Sequence, residues 1–216
     1  MKPQPDQPTL ALEFRVTVQG ISPLIWRHIR ISNSSSLAVL HWVLQVGLTK
    51  QDQPSYQFSV HGFMIAESRD ANTHDARVIK LMDLQLRVGE KLVYSYQNAK
   101  PWKLELRLIN FVNHNHDDLL PILLAGKRSA PTENISSPRD FLFKRREQEL
   151  NPPLRSLQLA AQTIAFVLDH NTRPDSCVIE ELEFASQEIN TYLQFTSKHL
   201  NVEALNLKLH PVAVGL

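Results

Sequence analysis

The stretch EFRVTVQGISPLIWRHIRIS, residues 13–32, decides the fold of this chain. Apolar and polar residues alternate with a period of two from Phe14 to Val18 and again from Ile25 to Ile31. This alternation is typical of strands that bury one face. The glycine and proline of residues 20–24 are typical of a turn, so the stretch predicts a β-hairpin.

A helix is predicted directly after the hairpin. Ser34-Ser-Ser36 supplies hydroxyl groups that can cap its first turn, and leucines at positions 37, 40, 44 and 48 share one face. Alternation predicts three further strands, and a short helical turn is expected near Leu81–Leu84. These strands lie at Tyr56–Val60, Leu92–Tyr96 and Trp102–Leu108. The order predicts an α+β fold in which a β-grasp-like mixed sheet holds one helix.

The second half of the chain has helical periodicity. Ser137-Pro138 predicts the start of a helix that ends near Leu150, a second helix runs from Leu154 to Leu168, and a third is expected over residues 179–200. We therefore divide the chain into a flexible arm (1–9), a β-rich core (10–125) and a helical extension packed on that core (126–216).

Composition limits the classes of function. The chain has 216 residues, with 23 Lys and Arg against 22 Asp and Glu, which argues against a generally basic nucleic-acid coat protein. One cysteine excludes an internal disulfide, and no apolar segment resembles a secretion signal or a membrane span, so we expect a cytoplasmic location. The six glycines form no phosphate-binding loop, and we predict no cofactor.

Two groups of residues are candidates for a metal site or a catalytic site. His114, His116, Asp117 and Asp118 have ligand types that could bind one metal ion from a loop, although a solvated strand end has the same composition. Cys177 could be a nucleophile, but a lone cysteine beside Val178 is also typical of packing. We predict neither a catalytic residue nor a metal site from these groups.

The strongest basic cluster is a candidate contact for nucleic acid or a protein partner. It comprises Lys127, Arg128, Arg139, Lys144, Arg145 and Arg146. Three adjacent cations fan across a helix surface, so only some of them can meet one phosphate backbone. The alternative is a solvated helix face with local ion pairs to Glu147 and Glu149.

Several segments resemble one protein family. These are GISPLIWR (residues 20–27), Leu40-His41, Phe58-x-Val60-x-Gly62, Tyr94-x-Tyr96 with Trp102, residues 121–133 and residues 201–209. The chain resembles the Ri-plasmid open-reading-frame-three family, whose members also occur as passenger proteins of insertion sequences and are often labelled TnpR-like. The resemblance implies a bacterial protein from a plasmid or transposon, with an expansion around residues 141–198. Trp26, Arg27, Tyr96 and Trp102 are candidate members of a surface retained from that family.

The chain departs from the family at its polar positions. The family commonly has a Tyr-x-Tyr-Asp-Phe-Gly-Asp-x-Trp-x-His stretch, whereas this chain has Gln97-Asn-Ala-Lys100 after the tyrosines and Leu104 in place of the histidine. Acid–base catalysis needs titratable groups, which Gln97, Ala99 and Leu104 do not supply. Trp26 and Arg27 lie on opposite faces of one strand, so one of them should pack on the helical half or contact a partner.

Three functions follow as expectations. The first is a non-catalytic interaction protein of a mobile element, which contacts a protein partner through its sheet edge or its added helices. The alternative is a nucleic-acid-binding accessory factor of a transposition, recombination or defence complex, supported by a net charge of +4 over residues 1–112. The third is a metal-dependent enzyme that uses His114 and His116. The sequence does not decide the oligomeric state.

Overall fold

The computed structural model describes residues 9–48, 55–67, 74–96, 102–114, 119–131, 135–197 and 199–213. These residues form an α+β architecture with one eight-stranded sheet and five α-helices. The strands are β1 (Thr9–Val18), β2 (Trp26–Ser32), β3 (Tyr56–Val60), β4 (Phe63–Ala66), β5 (His74–Asp75), β6 (Lys91–Tyr96), β7 (Trp102–His114) and β8 (Ile122–Lys127). The helices are α1 (Leu37–Gly47), α2 (Pro138–Leu150), α3 (Leu154–His170), α4 (Ser176–Thr196) and α5 (Val202–Ala213), with a 3-10 turn at Leu81–Leu84.

The sheet is mixed and has the order β5-β4-β3-β6-β7-β1-β2-β8. All neighbouring strands are antiparallel except β4 and β5, which are parallel. The predicted hairpin is confirmed as β1 and β2, and β1 also pairs along its length with β7. The hairpin therefore lies between β7 and the edge strand β8.

One face of the sheet carries the core. Residues directly opposite each other in paired strands share a face, and Phe14 lies opposite both Ile29 and Leu108, all fully buried. Helix α1 covers this face, which we call the inner face, and the predicted cap is present because Ser36 Oγ accepts from Val39 N at 3.3 Å. We call the opposite surface the outer face.

The C-terminal helices dock at two places. The hydroxyl of Ser137 caps α2, as predicted, and Pro138 packs beside Gly20 in the β1–β2 turn. Helix α5 attaches to β8 through Asn206, which donates to Leu123 O at 2.9 Å and accepts from Leu123 N at 2.8 Å. Helices α3 and α4 form a hairpin that contacts α2 through α4. The division of the chain at residues 125 and 126 stays a prediction, and β8 crosses that position.

Several elements differ from those predicted. Strand β7 continues past the predicted end at Leu108 to His114. The prediction stopped early because a bulge at Ile109 interrupts the alternation between Leu108 and Asn110. The third predicted helix ends at Thr196, and α5 follows as a separate helix. Strands β4, β5 and β8 were not predicted. In the described ranges, none of the helices is long and apolar enough to cross a membrane.

Candidate functional site

His41 and Tyr94, two of the residues shared with the resembled family, meet beneath α1 in a buried cluster of rings. His41 projects from α1 and stacks on Tyr56 of β3, with ring centroids 3.7 Å apart. The hydroxyl of Tyr94 lies 2.8 Å from His41 Nδ1 and accepts from Gln45 Nε2 at 2.6 Å. All four side chains are buried. The cluster ties α1 to β3 and β6 and leaves its polar atoms out of contact with solvent.

Arg27, on the inner face of the sheet, binds the C-terminal end of α1. Its Nε donates to Gly47 O at 2.7 Å, and its Nη1 donates to Trp26 O at 2.8 Å and to Lys127 O at 3.1 Å. The residue is only 2% exposed, and this burial lowers the pKa of Arg27 to about 10. The guanidinium therefore stays charged at neutral pH and satisfies carbonyl groups of a helix end and two strands.

The expected surface of Trp26, Arg27, Tyr96 and Trp102 does not form. Arg27, Tyr96 and Trp102 are buried on the inner face, and burial raises the pKa of Tyr96 far above its usual value. Trp26 lies on the outer face, half-buried, with the Arg15 guanidinium 4.4 Å from the centre of its ring. The helical layer buries Arg27, so only Trp26 of the four remains accessible to a partner.

The predicted basic cluster is divided among several places. Arg145 is buried against Phe141 and donates to Ser22 O, so it anchors α2 to the β1–β2 turn and is not a surface contact. Its Nε also lies 3.6 Å from a carboxylate oxygen of Glu149. Arg139, Lys144 and Arg146 are exposed on α2, Lys127 is exposed at the end of β8, and Arg128 follows it with a positive φ of 69°.

The structure places His114, of the candidate metal site, and Cys177, the candidate nucleophile, in different elements of the fold. His114 ends β7, whereas residues 116–118 lie outside the described ranges, as do residues 97–100. Among the residues that the structure describes, no three His, Cys, Asp or Glu side chains are placed to bind one metal ion. Cys177 is exposed in the first turn of α4, so the interpretation that it is a packing residue is wrong.

A groove between α3 and α4 was not predicted from the sequence. It encloses about 700 Å³, and Phe184 lies in it with 64% of its surface exposed. Ser156 is buried beneath and donates to a carboxylate oxygen of Glu188, which fixes the two helices together. We call this the acidic groove. Leu159, Phe184 and Ala185 form its apolar floor, and Glu180, Glu181 and Glu188 form its rim, which also carries Arg155 and Cys177.

The fold and these sites define an α+β protein in which a helical hairpin is attached to a mixed sheet. The chain belongs to the family of plasmid pRiA4b ORF-3-like proteins, whose model matches residues 10–144. A crystal structure of a protein of unknown function from Methanosarcina mazei Go1 is similar in fold, with a TM-score of 0.63 and 16% identity. The match covers 92% of this chain and 98% of that one. No curated protein matches the sequence.

The family match confirms the resemblance seen in the sequence and ends within α2. Helices α3, α4 and α5 lie beyond residue 144 and hence beyond the family model. Leu104, which stands where the resembled family has histidine, is fully buried opposite Val18 and Tyr94. The acidic groove is therefore built entirely from the part of the chain outside the match.

Proposed function

We propose that this protein acts without catalysis, by binding a protein partner in the acidic groove, as an accessory protein of a mobile genetic element. The observation that carries the proposal is the exposure of Phe184 over an apolar groove that the described chain leaves uncovered. Apolar surface left exposed in a patch with a polar rim is typical of an interaction site. The link to a mobile element rests on the plasmid family to which the chain belongs.

The charges of α4 indicate what kind of partner fits. This helix carries four glutamates, at positions 180, 181, 183 and 188, and no lysine or arginine. A basic amphipathic helix would place apolar side chains on Phe184 and Leu159 while its cations meet the carboxylates of the rim. A second copy of the chain is less suitable, because its own α4 would bring four further carboxylates.

The absence of catalysis is supported by substitutions in the sequence. Gln97, Lys100 and Leu104 replace two aspartates and a histidine of the resembled family, and none of them can act as a general base near neutral pH. The buried ring cluster around Tyr94 supports the same proposal, since the Tyr94 hydroxyl is bonded to His41 and Gln45 inside the core.

Zero-length coupling of carboxylates to amines tests the partner directly. A tagged protein expressed at native level would be treated with a carbodiimide, and the coupled peptides would be identified by mass spectrometry. We expect Glu180, Glu181 or Glu188 to be coupled to lysines of one basic amphipathic segment in another protein. Phe184→Asp should abolish this coupling, since a carboxylate on the groove floor would repel apolar side chains.

The matched control is Val88→Asp, which introduces the same carboxylate at another exposed apolar side chain, 59% accessible and away from α4. The control should retain the coupled partner. Coupling that survives Phe184→Asp, or coupling only to a second copy of this chain, contradicts the proposal. Light scattering distinguishes the second case, because the purified chain should then be a dimer that Phe184→Asp dissociates.

We also propose that the sheet is β-grasp-like. The order of hairpin β1–β2 followed by α1 across the inner face supports this description. An experimental structure, compared with β-grasp proteins over the sheet and α1, tests it. Superposition of the hairpin and α1 without the remaining strands would argue against it.

A further inference from the structure

A row of basic side chains crosses the outer face of the sheet. Lys91 of β6 lies directly opposite Arg107 of β7, Arg107 lies opposite Arg15 of β1, and Arg15 lies opposite His28 of β2. We call these four residues the basic row. Because strands in a sheet are spaced by about 4.8 Å, the row spans roughly 15 Å across four strands.

The basic row opposes folding at Lys91, Arg107 and Arg15, since like charges directly opposite each other in a sheet are destabilising. Its fourth member, His28, has its Nε2 3.4 Å from a carboxylate oxygen of Glu13. Glu105 offsets part of this repulsion, with carboxylate oxygens 2.8 Å from Lys91 Nζ and 3.6 Å from an Arg107 nitrogen. The Lys91 and Arg107 side chains remain 43% and 45% exposed. Arg15 is also exposed and rests on the ring of Trp26. The charges are therefore available to an external anion.

The surroundings of the row are also basic. Lys103 lies on the same face of β7, and Lys127 of β8 lies opposite Trp26. Arg30 on β2 is occupied by Glu13, with its Nη2 2.6 Å from a carboxylate oxygen. On β1, β2, β6, β7 and β8, the outer face thus carries six Lys and Arg side chains against the carboxylates of Glu13 and Glu105. A polyanion would neutralise this excess.

We propose that the outer face binds single-stranded nucleic acid, with phosphates along the basic row and a base against Trp26 and Arg15. A row of cations at strand spacing suits a chain of phosphates that lies across the strands. Aromatic rings and guanidinium planes stack on bases of any sequence. Trp26 is half-buried on this face, beside the row.

The shape of the surface favours a single strand over a duplex. The major groove of DNA admits a helix or a two-stranded ribbon, whereas the basic row lies across the middle of an eight-stranded sheet. A duplex would touch such a broad face at few phosphates, and its bases would stay out of reach of Trp26. A single strand can lie flat on the sheet and expose both phosphates and bases to it.

This surface is separate from the acidic groove. The basic row is built from β1, β2, β6 and β7, and the groove from α3 and α4. The glutamates of the groove would repel an oligonucleotide. Loss of one binding activity therefore does not imply loss of the other, and the two proposals fail independently.

Fluorescence anisotropy of the full chain with labelled oligothymidylate and oligouridylate, each of about 20 nucleotides, tests the proposal. A hairpin duplex of similar length is the comparison. Lys91, Arg107 and Arg15 are the permanent cations of the row. If each neutralises one phosphate, the logarithm of affinity falls with the logarithm of salt concentration with a slope of about −2. We expect binding to weaken about 18-fold between about 50 and 200 mM salt.

Variants assign the binding to the basic row. Arg15→Gln combined with Arg107→Gln should reduce the salt effect over the same range to about threefold, because one permanent cation remains. Trp26→Leu should weaken binding about tenfold through loss of stacking. Arg15→Lys combined with Arg107→Lys should keep the original slope, which distinguishes lost charge from a damaged fold.

The matched control removes two exposed cations elsewhere, by Lys144→Gln combined with Arg146→Gln on α2. This variant should bind like the unaltered protein. An equal loss in the control would overturn the proposal and would assign binding to α2. Tighter binding of the duplex than of either single strand, or no salt-dependent binding of any of the three probes, would also overturn it.

Discussion

Replacement of Arg27 by leucine should destabilise the protein by about 3 kcal/mol, because the hydrogen bonds that it removes contribute more than the burial of the charge costs. The substitution removes three hydrogen bonds, to Gly47 O, Trp26 O and Lys127 O. It also removes the cost of burying a charged guanidinium in the core. The carbonyl groups remain buried, and an apolar side chain cannot pair with them.

The magnitude follows from the geometry of the site. A hydrogen bond from a charged donor contributes about 1.5–3 kcal/mol, so the three together contribute roughly 4–9 kcal/mol. Burial lowers the pKa of Arg27 from 12.5 to about 10, which corresponds to about 3 kcal/mol against the charged form. The hydrogen bonds outweigh this cost, and a net loss of about 3 kcal/mol remains on substitution.

Urea unfolding monitored by circular dichroism measures the loss. For a chain of this size, about 3 kcal/mol should lower the midpoint of thermal unfolding by roughly 6–12 °C. The matched control is Arg15→Leu, which makes the same change on the neighbouring strand. Arg15 is exposed on the outer face, where its guanidinium rests on the ring of Trp26, and an exposed cation–π contact contributes about 0.5–1 kcal/mol. Equal unfolding free energies for Arg27→Leu and the unaltered protein would refute the assigned role of Arg27.

Two further substitutions test the core. Tyr94→Phe should lower the free energy of unfolding by about 1–3 kcal/mol, because the buried His41 and Gln45 side chains lose the hydroxyl that they share. An unchanged midpoint of urea unfolding would contradict this hydrogen-bond network. Gly126→Ala should cost about 1–3 kcal/mol, because the added methyl group would lie 2.9 Å from a carbon of Arg27 and 3.1 Å from a strand carbonyl. Thermal unfolding measures this second loss, and a midpoint equal to or above that of the unaltered protein would show that the site has room.

The two proposed binding surfaces together would make the protein an adaptor. The acidic groove on the α3–α4 hairpin would bind a basic helix, and the basic row on the sheet would bind a polyanion. Their opposite charges keep the two ligands from competing for one surface. An accessory protein with this arrangement can hold a protein partner and a nucleic-acid strand at the same time.

Local patterns in the sequence predicted those strands and helices that are specified by residues close to one another in the chain. The alternation of β1 and β2, the serine cap of α1 and the Ser-Pro start of α2 each depend on neighbouring residues, and each is confirmed. Strand β8 was missed, because its residues Ile122 to Ala125 form a continuous apolar run that lacks alternation. Its strand character comes from pairing with β2, which no local pattern encodes.

Candidate surface residues were harder to predict than elements. Arg27 and Arg145 are charged residues, which a sequence places on the surface by default. Both are buried, because carbonyl groups distant in the chain accept their hydrogen bonds. An arginine enters a core only where such acceptors exist, and their positions depend on the packing of other elements. Trp26 stayed accessible because the helices cover the opposite face of its strand.

The sequence by itself determined the hairpin, α1 and the helical character of the second half, since periodicity and capping act within a few residues. The tertiary structure alone decided the basic row, whose members Arg15, His28, Lys91 and Arg107 are far apart in the chain. Strand register brings them opposite one another, and a shift of one residue would turn them to the other face. The acidic groove likewise exists only because α3 and α4 fold against each other.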